Sequence, residues 1–174
     1  MKKIFSMILT FGLWTVFHAA MVQAQSPADL SRMKEITQDL NRNYRYLQDI
    51  RSDLNLSAMG VMNSSPEQLN YIQRAGLFVD TAKRICFYQW RLLSITEYIR
   101  EEARSDFYTL RAADLKSAVF ESNEALKLLK VYEAFIQDES AVESISEAKG
   151  VIEANLEMFN RLRELIIPYA NAPE

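Results

Sequence analysis

The 174-residue chain carries 20 lysines and arginines against 23 acidic residues, one histidine and one cysteine. A single domain of this length is stable without disulfide or metal staples. A formal charge of −3 with no basic run makes the chain a poor candidate for nucleic acid or an anionic membrane surface, and neither is expected as a partner.

The first residues read as an export address. Lys2 and Lys3 precede an almost wholly apolar stretch from Ile4 to Phe17, and Val22-Gln23-Ala24 sets small residues at −3 and −1 before Gln25. Charge, short apolar core and small-residue cut site are the order of a Sec signal. The apolar run is shorter than the roughly 20 residues of a membrane span, and His18 interrupts its end. An uncleaved anchor is the competing reading; a lipoprotein anchor is excluded because no cysteine follows the apolar core. The short two-lysine start suits a bacterium and a periplasmic protein. Removing signal residues 1–24 leaves a domain of 150 residues, 25–174, and shifts the formal charge from −3 to −5 as Lys2 and Lys3 depart. No later stretch is apolar enough to span a bilayer.

Loss of His18 with the signal leaves the exported chain without histidine. Ser-His-Asp and Cys-His nucleophile systems, histidine-bearing zinc sites, Glu-x-x-His di-iron bundles and haem bundles with an axial histidine are thereby excluded. No cofactor or metal is expected. Cys86 has no second cysteine to pair with inside the chain.

Four helical segments follow. Pro27 suits a first helical turn. Met33, Ile36, Leu40, Leu47, Ile50 and Leu54 then recur at three-and-four spacing, broken at Asn43, which predicts a helix of about 28 residues with one apolar seam. Leu56 to Asn63, marked by Gly60, reads as a loop. Ser65-Pro66-Glu67-Gln68 restarts the helix, with Ser65 as cap, Pro66 in the first position and Gln68 completing a capping box. This second segment runs to Glu102 with two apolar faces, one of Ile72, Gly76, Val79, Cys86, Trp90 and Leu93, the other of Phe78, Ala82, Ile85, Leu92 and Ile99. Between Glu101 and Phe107 there is neither glycine nor proline; Ser105 or Asp106 is the best cap, and one continuous bent helix is the alternative. The third seam runs through Leu115, Ala118, Ser122, Ala125, Leu129, Tyr132 and Ile136. Ser140-Ala141-Val142-Glu143 is a capping box for the fourth, through Ile145, Ala148, Ile152, Asn155, Phe159, Leu162 and Ile166, which Pro168 stops.

No period-two alternation persists, so the predicted fold class is all-α, an antiparallel up-down-up-down four-helix bundle. The near-heptad, coiled-coil-like spacing favours crossing angles of about 20°. A long helical hairpin that forms a homodimer, and a three-helix form with the second and third segments fused, are the competing arrangements.

In the antiparallel arrangement Asn43 and Asn155 meet at mid-height, joined by Ser122 and Lys83 in a polar core layer. A buried asparagine on a seam fixes register, because slipped alignments leave an amide unpaired; ligand binding is the functional alternative. Cys86 reads as a small core residue, with an intermolecular disulfide or reactive thiol as the alternative. Tyr44, Arg45, Tyr46 and Tyr88 are the residue types enriched at binding hot spots and form the expected partner surface. Acid pairs such as Glu143 and Glu147, or Glu153 and Glu157, stand one turn apart on solvated stripes, without the opposed geometry of a glycosidase. These features together imply an exported, non-enzymatic interaction protein (adaptor, inhibitor or chaperone-like) for a periplasmic or envelope partner. The alternative is a small-ligand binder using the polar layer.

Overall fold

The computed structural model describes residues 27–170; the predicted export segment, residues 1–24, lies outside them. Four long helices make up the fold: α1 (Pro27–Val61), α2 (Pro66–Ser94), α3 (Arg104–Glu133) and α4 (Glu139–Ile166). Among the described residues there is no strand, and no helix is long and apolar enough to cross a membrane. α1 packs on α2 and α4, and α3 packs on the same two; α2 and α4 touch lightly, while α1 and α3 do not meet. The helices therefore form a bundle around one core.

That core is the set of seams. Met33, Ile36, Leu40, Leu47, Ile50 and Leu54 of α1 are all buried, as are Ile145, Ala148, Ile152, Phe159, Leu162 and Ile166 of α4. On α2 the face of Ile72, Val79, Cys86 and Leu93 is buried, with Ala82 and Ile85 beside it; α3 contributes Leu115, Ala118, Ala125 and Leu129. Three-and-four spacing places each set on one stripe, and joining the stripes removes them from water together.

Helix ends depart from the sequence reading in five places. α1 continues through Leu56 and Gly60 to Val61, because Leu54, Ser57 and Ala58 remain buried and hold the last turns against the core. It stops where the Val61 carbonyl accepts from both Ser64 N (3.1 Å) and Ser65 N (2.9 Å). At the start of α2, Ser65 Oγ accepts from Gln68 N at 3.4 Å, with Pro66 in the first turn. The Gln68 side chain does not complete the box: its Nε2 donates to the Phe135 carbonyl (2.9 Å) and its Oε1 accepts from Gln137 N (2.8 Å), clamping the α3–α4 loop. Between α2 and α3 the chain breaks into two 3-10 turns, Thr96–Tyr98 and Glu101–Ala103, so the helices are separate and α2 ends before Glu102. α3 begins without a side-chain cap, so neither Ser105 nor Asp106 serves. α4 is capped by Asp138, which accepts from Ala141 N at 2.8 Å, rather than by Ser140. Asp138 comes two residues earlier and, as a carboxylate, suits the positive end of the helix.

Past Ile166 a 3-10 turn, Ile167–Tyr169, absorbs Pro168, and Tyr169 Oη donates to Asp29 Oδ2 (2.8 Å), tying the end of the described chain to the first turn of α1. Lys149 Nζ of α4 reaches both carboxylate oxygens of Glu133 on α3 (2.7 and 2.5 Å).

Candidate functional site

In the bundle interior, Asn43 Nδ2 donates to Asn155 Oδ1 at 2.8 Å, across the α1–α4 interface. Asn155 is 2% exposed and Asn43 half-buried. Cys86, fully buried on α2, joins them. Its Sγ donates to the Leu40 carbonyl of α1 (3.0 Å), and burial pushes its thiol up to about 12, against hydrogen bonds from the Asn155 side chain and the Tyr44 backbone. A thiol this deep and this protonated is neither accessible for an intermolecular disulfide nor reactive. Ser122 is buried on the α3 seam, but no described hydrogen bond links it to the two amides.

Lys83 lies elsewhere. It follows Ala82 around α2 to the flank facing α1, where its long stem lets the ammonium reach half-exposed surface. There Asp80 accepts from Lys83 Nζ (2.6 Å) through Oδ1 and from Arg51 Nε (2.8 Å) through Oδ2. Burial would raise the Asp80 carboxyl, but the bonds from Lys83 and Arg51 outweigh it and hold it below its ordinary value. Arg51 Nη1 also donates to Asn55 Oδ1.

The tyrosine set does not form one surface. Tyr44 turns to α2, its ring 5.1 Å from Phe87 and 6.3 Å from Trp90. Tyr46 turns the other way and donates to Glu147 Oε2 of α4 at 2.9 Å. Arg45 is exposed between them, and Tyr88, 51% exposed, faces the α2/α3 cleft. Residues two apart on a helix point about 200° apart, so neighbours in sequence parted company in space.

Two concavities flank α2. The groove between α1 and α2 encloses about 980 Å³, with Arg51, Met59, Met62, Leu69, Arg74 and Leu77 in its walls. Met59 is 68% exposed, and Met62 and Leu77 are exposed as well. The course of Arg51 in its wall depends on Gly76. A Cβ there would lie 2.8 Å from Arg51 Cζ, so the missing side chain is what lets the guanidinium lie across α2 and reach Asp80. The sequence reading placed Gly76 on an apolar face; its signal was being the sole glycine inside α2.

The cleft between α2 and α3 encloses about 370 Å³ and is walled by Arg84, Ile85, Tyr88, Gln89, Asp114 and Ser117 among others. Behind the wall residue Asp114, and not itself in the wall, lies Arg111 of α3, 2% exposed, with Asp114 Oδ2 3.7 Å from its Nη1, beyond hydrogen-bond length. Neither terminal nitrogen of Arg111 has a hydrogen-bond partner among the described residues, nor has Oε1 of Gln89, itself 2% exposed. Burial lowers the Arg111 pKa, against the charges of Asp114 and Tyr88 and a weak pairing with the Asp114 side chain, too long at 3.7 Å for a formed hydrogen bond, all of which favour the cation. Sequence reasoning passed over Arg111, although extending the third seam back from Leu115 by four residues lands on it.

Comparison of the chain with protein-family models, with curated proteins and with solved structures gives no match.

Proposed function

We propose that this chain is an exported, non-enzymatic interaction protein that holds an envelope partner in the groove between α1 and α2. The observation that carries the reading is the groove itself. Met59, Met62 and Leu77 stand exposed around a trough of about 980 Å³ with Arg51 and Arg74 in its walls. Methionine-lined troughs adapt to apolar segments of varied shape. α2 bears Arg74, Lys83, Arg84 and Arg91 against Glu67 and Asp80, a positive helix in a net-negative chain, so an apolar segment flanked by acidic residues is the complementary partner. This replaces the Tyr44, Arg45, Tyr46 and Tyr88 surface as the docking face.

The finer architecture belongs to the same proposal. The sequential contacts of α1 with α2, α2 with α3 and α3 with α4 support an up-down-up-down order, as does closure of α1 on α4. The Asn43–Asn155 bond supports a register role for the polar pair, since each amide answers the other. Export through residues 1–24 and a periplasmic address rest on the sequence alone, and amino-terminal sequencing of the protein from the periplasm checks them.

A photo-crosslinking residue at Met59 or at Leu77, expressed in the native periplasm, is expected to yield one and the same protein adduct. The same residue at Glu153, on the polar face of α4, is expected to yield none. Met59→Glu should abolish the Leu77 adduct and leave the melting temperature unchanged. Equal adducts from all three sites would overturn the reading.

A further inference from the structure

We infer that the cleft between α2 and α3 binds a small monocarboxylate that also carries an N–H donor, with Arg111 gripping the carboxylate and Gln89 Oε1 accepting from the donor. The inference is independent of the α1/α2 groove. It starts from two side chains of opposite hydrogen-bonding sense, each 2% exposed and each unmet, on the two helices that wall one cavity. A buried cation without its hydrogen bonds is costly, and so is a buried amide oxygen without a donor. A ligand answering both repays both.

Three features define its chemistry. First, the two free terminal nitrogens of Arg111 form a planar fork that matches the two oxygens of a carboxylate. Second, Gln89 Oε1 can only accept, so the ligand must present a hydrogen there, and a bare carboxylate such as acetate would set oxygen against oxygen; an N–H supplies that hydrogen and adds no further charge. Third, the charges in and beside the cleft, Arg84 and Arg111 against Asp114 and Glu121, already balance, which tolerates one added negative charge better than two. A carboxylate is therefore favoured over a phosphate dianion. The volume of about 370 Å³ falls in the range of small-molecule sites, and Ile85, Tyr88 and Ala118 give an apolar wall for the remainder of the ligand. Entry requires side-chain movement, since the Arg111 terminal nitrogens and Gln89 Oε1 are all enclosed. Asp114, 41% exposed and 3.7 Å from Arg111, swings outward, and the ligand carboxylate takes its place. N-acylated amino acids and the carboxyl ends of peptides have this chemistry.

The probe is N-acetylglycine, titrated at constant ionic strength into the 15N-labelled protein while the arginine Nε–Hε and glutamine side-chain amide signals are followed. N-acetylglycinamide, which lacks the carboxylate, acetate, which lacks the donor, and inorganic phosphate are the comparison arms. Saturable shifts of the Arg111 and Gln89 signals are expected, with N-acetylglycine binding about tenfold or more tightly than the amide or acetate. Arg111→Met should remove the response, and Gln89→Met should abolish the preference over acetate. Shifts that fail to saturate, equal binding of the amide, or undiminished binding to Arg111→Met would each overturn the site. Tighter binding of phosphate would overturn its assignment to carboxylates. Should Arg111→Met not fold, the ligand series on the parent protein and on Gln89→Met decides the question.

Discussion

Arg51 and Arg111 are drawn in between helices on either side of α2, and the two interfaces treat the same charge in opposite ways. Between α1 and α2, Arg51 lies over Gly76 and bonds Asp80 and Asn55, with part of its length in water. Between α2 and α3, Arg111 is almost wholly enclosed, with Asp114 at 3.7 Å and two nitrogens without acceptors. Depth alone does not decide what a buried arginine costs. Partners at bonding distance and residual access to water offset its desolvation; without them the guanidinium weakens the fold that contains it. The α1 side of α2 is thus built for stability and the α3 side carries a local deficit, which is where a ligand would have most to give.

The largest effect should come from the well-satisfied side, at high pH. Cys86 is buried against α1 and its thiol ionises at about 12 in the fold, against an ordinary 9.0. Between those values the unfolded chain has released a proton that the folded chain still holds, so stability falls as pH rises from 9 toward 12 and is unaffected by this group below 9. Three units correspond to about 4 kcal/mol at most. Tyrosines titrate in the same range, so the measurement is a difference: denaturant midpoints of the parent and of Cys86→Ala from pH 8 to 11. The parent should lose stability more steeply than the variant. Parallel curves would show that the thiol is not held where Leu40 and Asn155 enclose it.

Next in size are the paired substitutions that test the comparison directly. Arg111→Met replaces an ill-partnered buried charge by an apolar chain of similar length and should raise stability by about 1–3 kcal/mol. Arg51→Met removes a half-exposed charge bonded to Asp80 and Asn55 and should lower it by about 0.5–1 kcal/mol. Urea unfolding of both variants gives the two signs. Loss of stability in both would mean that the α2/α3 interface satisfies its arginine as well as the α1/α2 interface does.

Which of these features can be read from sequence follows from what carries them. The seams were legible because burial on a helix is a periodic property, and Leu40, Leu129, Ile152 and their neighbours each repeat the same demand. Asn43 and Asn155 stood out as breaks in that period. Lys83 was misplaced because a long flexible stem lets a residue near the core send its charge to the flank. The cap of α4 was misread for a local reason: Asp138 and Ser140 are both good caps, and the choice falls to how the loop held by Gln68 enters the helix. Gly76 was missed because it matters through Arg51 on another helix, and Arg111 because its lack of bonding partners depends on what the facing helices bring to it. Unlike the two asparagines, neither residue breaks the apolar period of its own helix in a way that names its counterpart.

The finest test concerns the gap that lets Arg51 reach Asp80. Alanine is favoured over glycine inside a helix by about 1 kcal/mol. Against this, the new methyl of Gly76→Ala would meet the Arg51 guanidinium at 2.8 Å and push it aside. That guanidinium ends a flexible chain, so it moves rather than straining the helices, and the loss is a half-exposed ion pair worth about 1 kcal/mol or less. The two changes nearly cancel, and the melting temperature should hardly move. Asp80 should nevertheless report the loss. Burial raises its carboxyl while Lys83 and Arg51 together pull it below the ordinary 3.8, and with Arg51 displaced it should climb back toward that value. The stability tied to this carboxylate, present above its unfolded pKa and lost as pH falls through the lowered folded one, should shrink accordingly. Carboxyl-carbon NMR titration of Asp80 in parent and variant reads the shift directly. An unchanged Asp80 titration in Gly76→Ala would mean that Arg51 does not hold this carboxylate, and the contrast between the two arginines would lose its satisfied half.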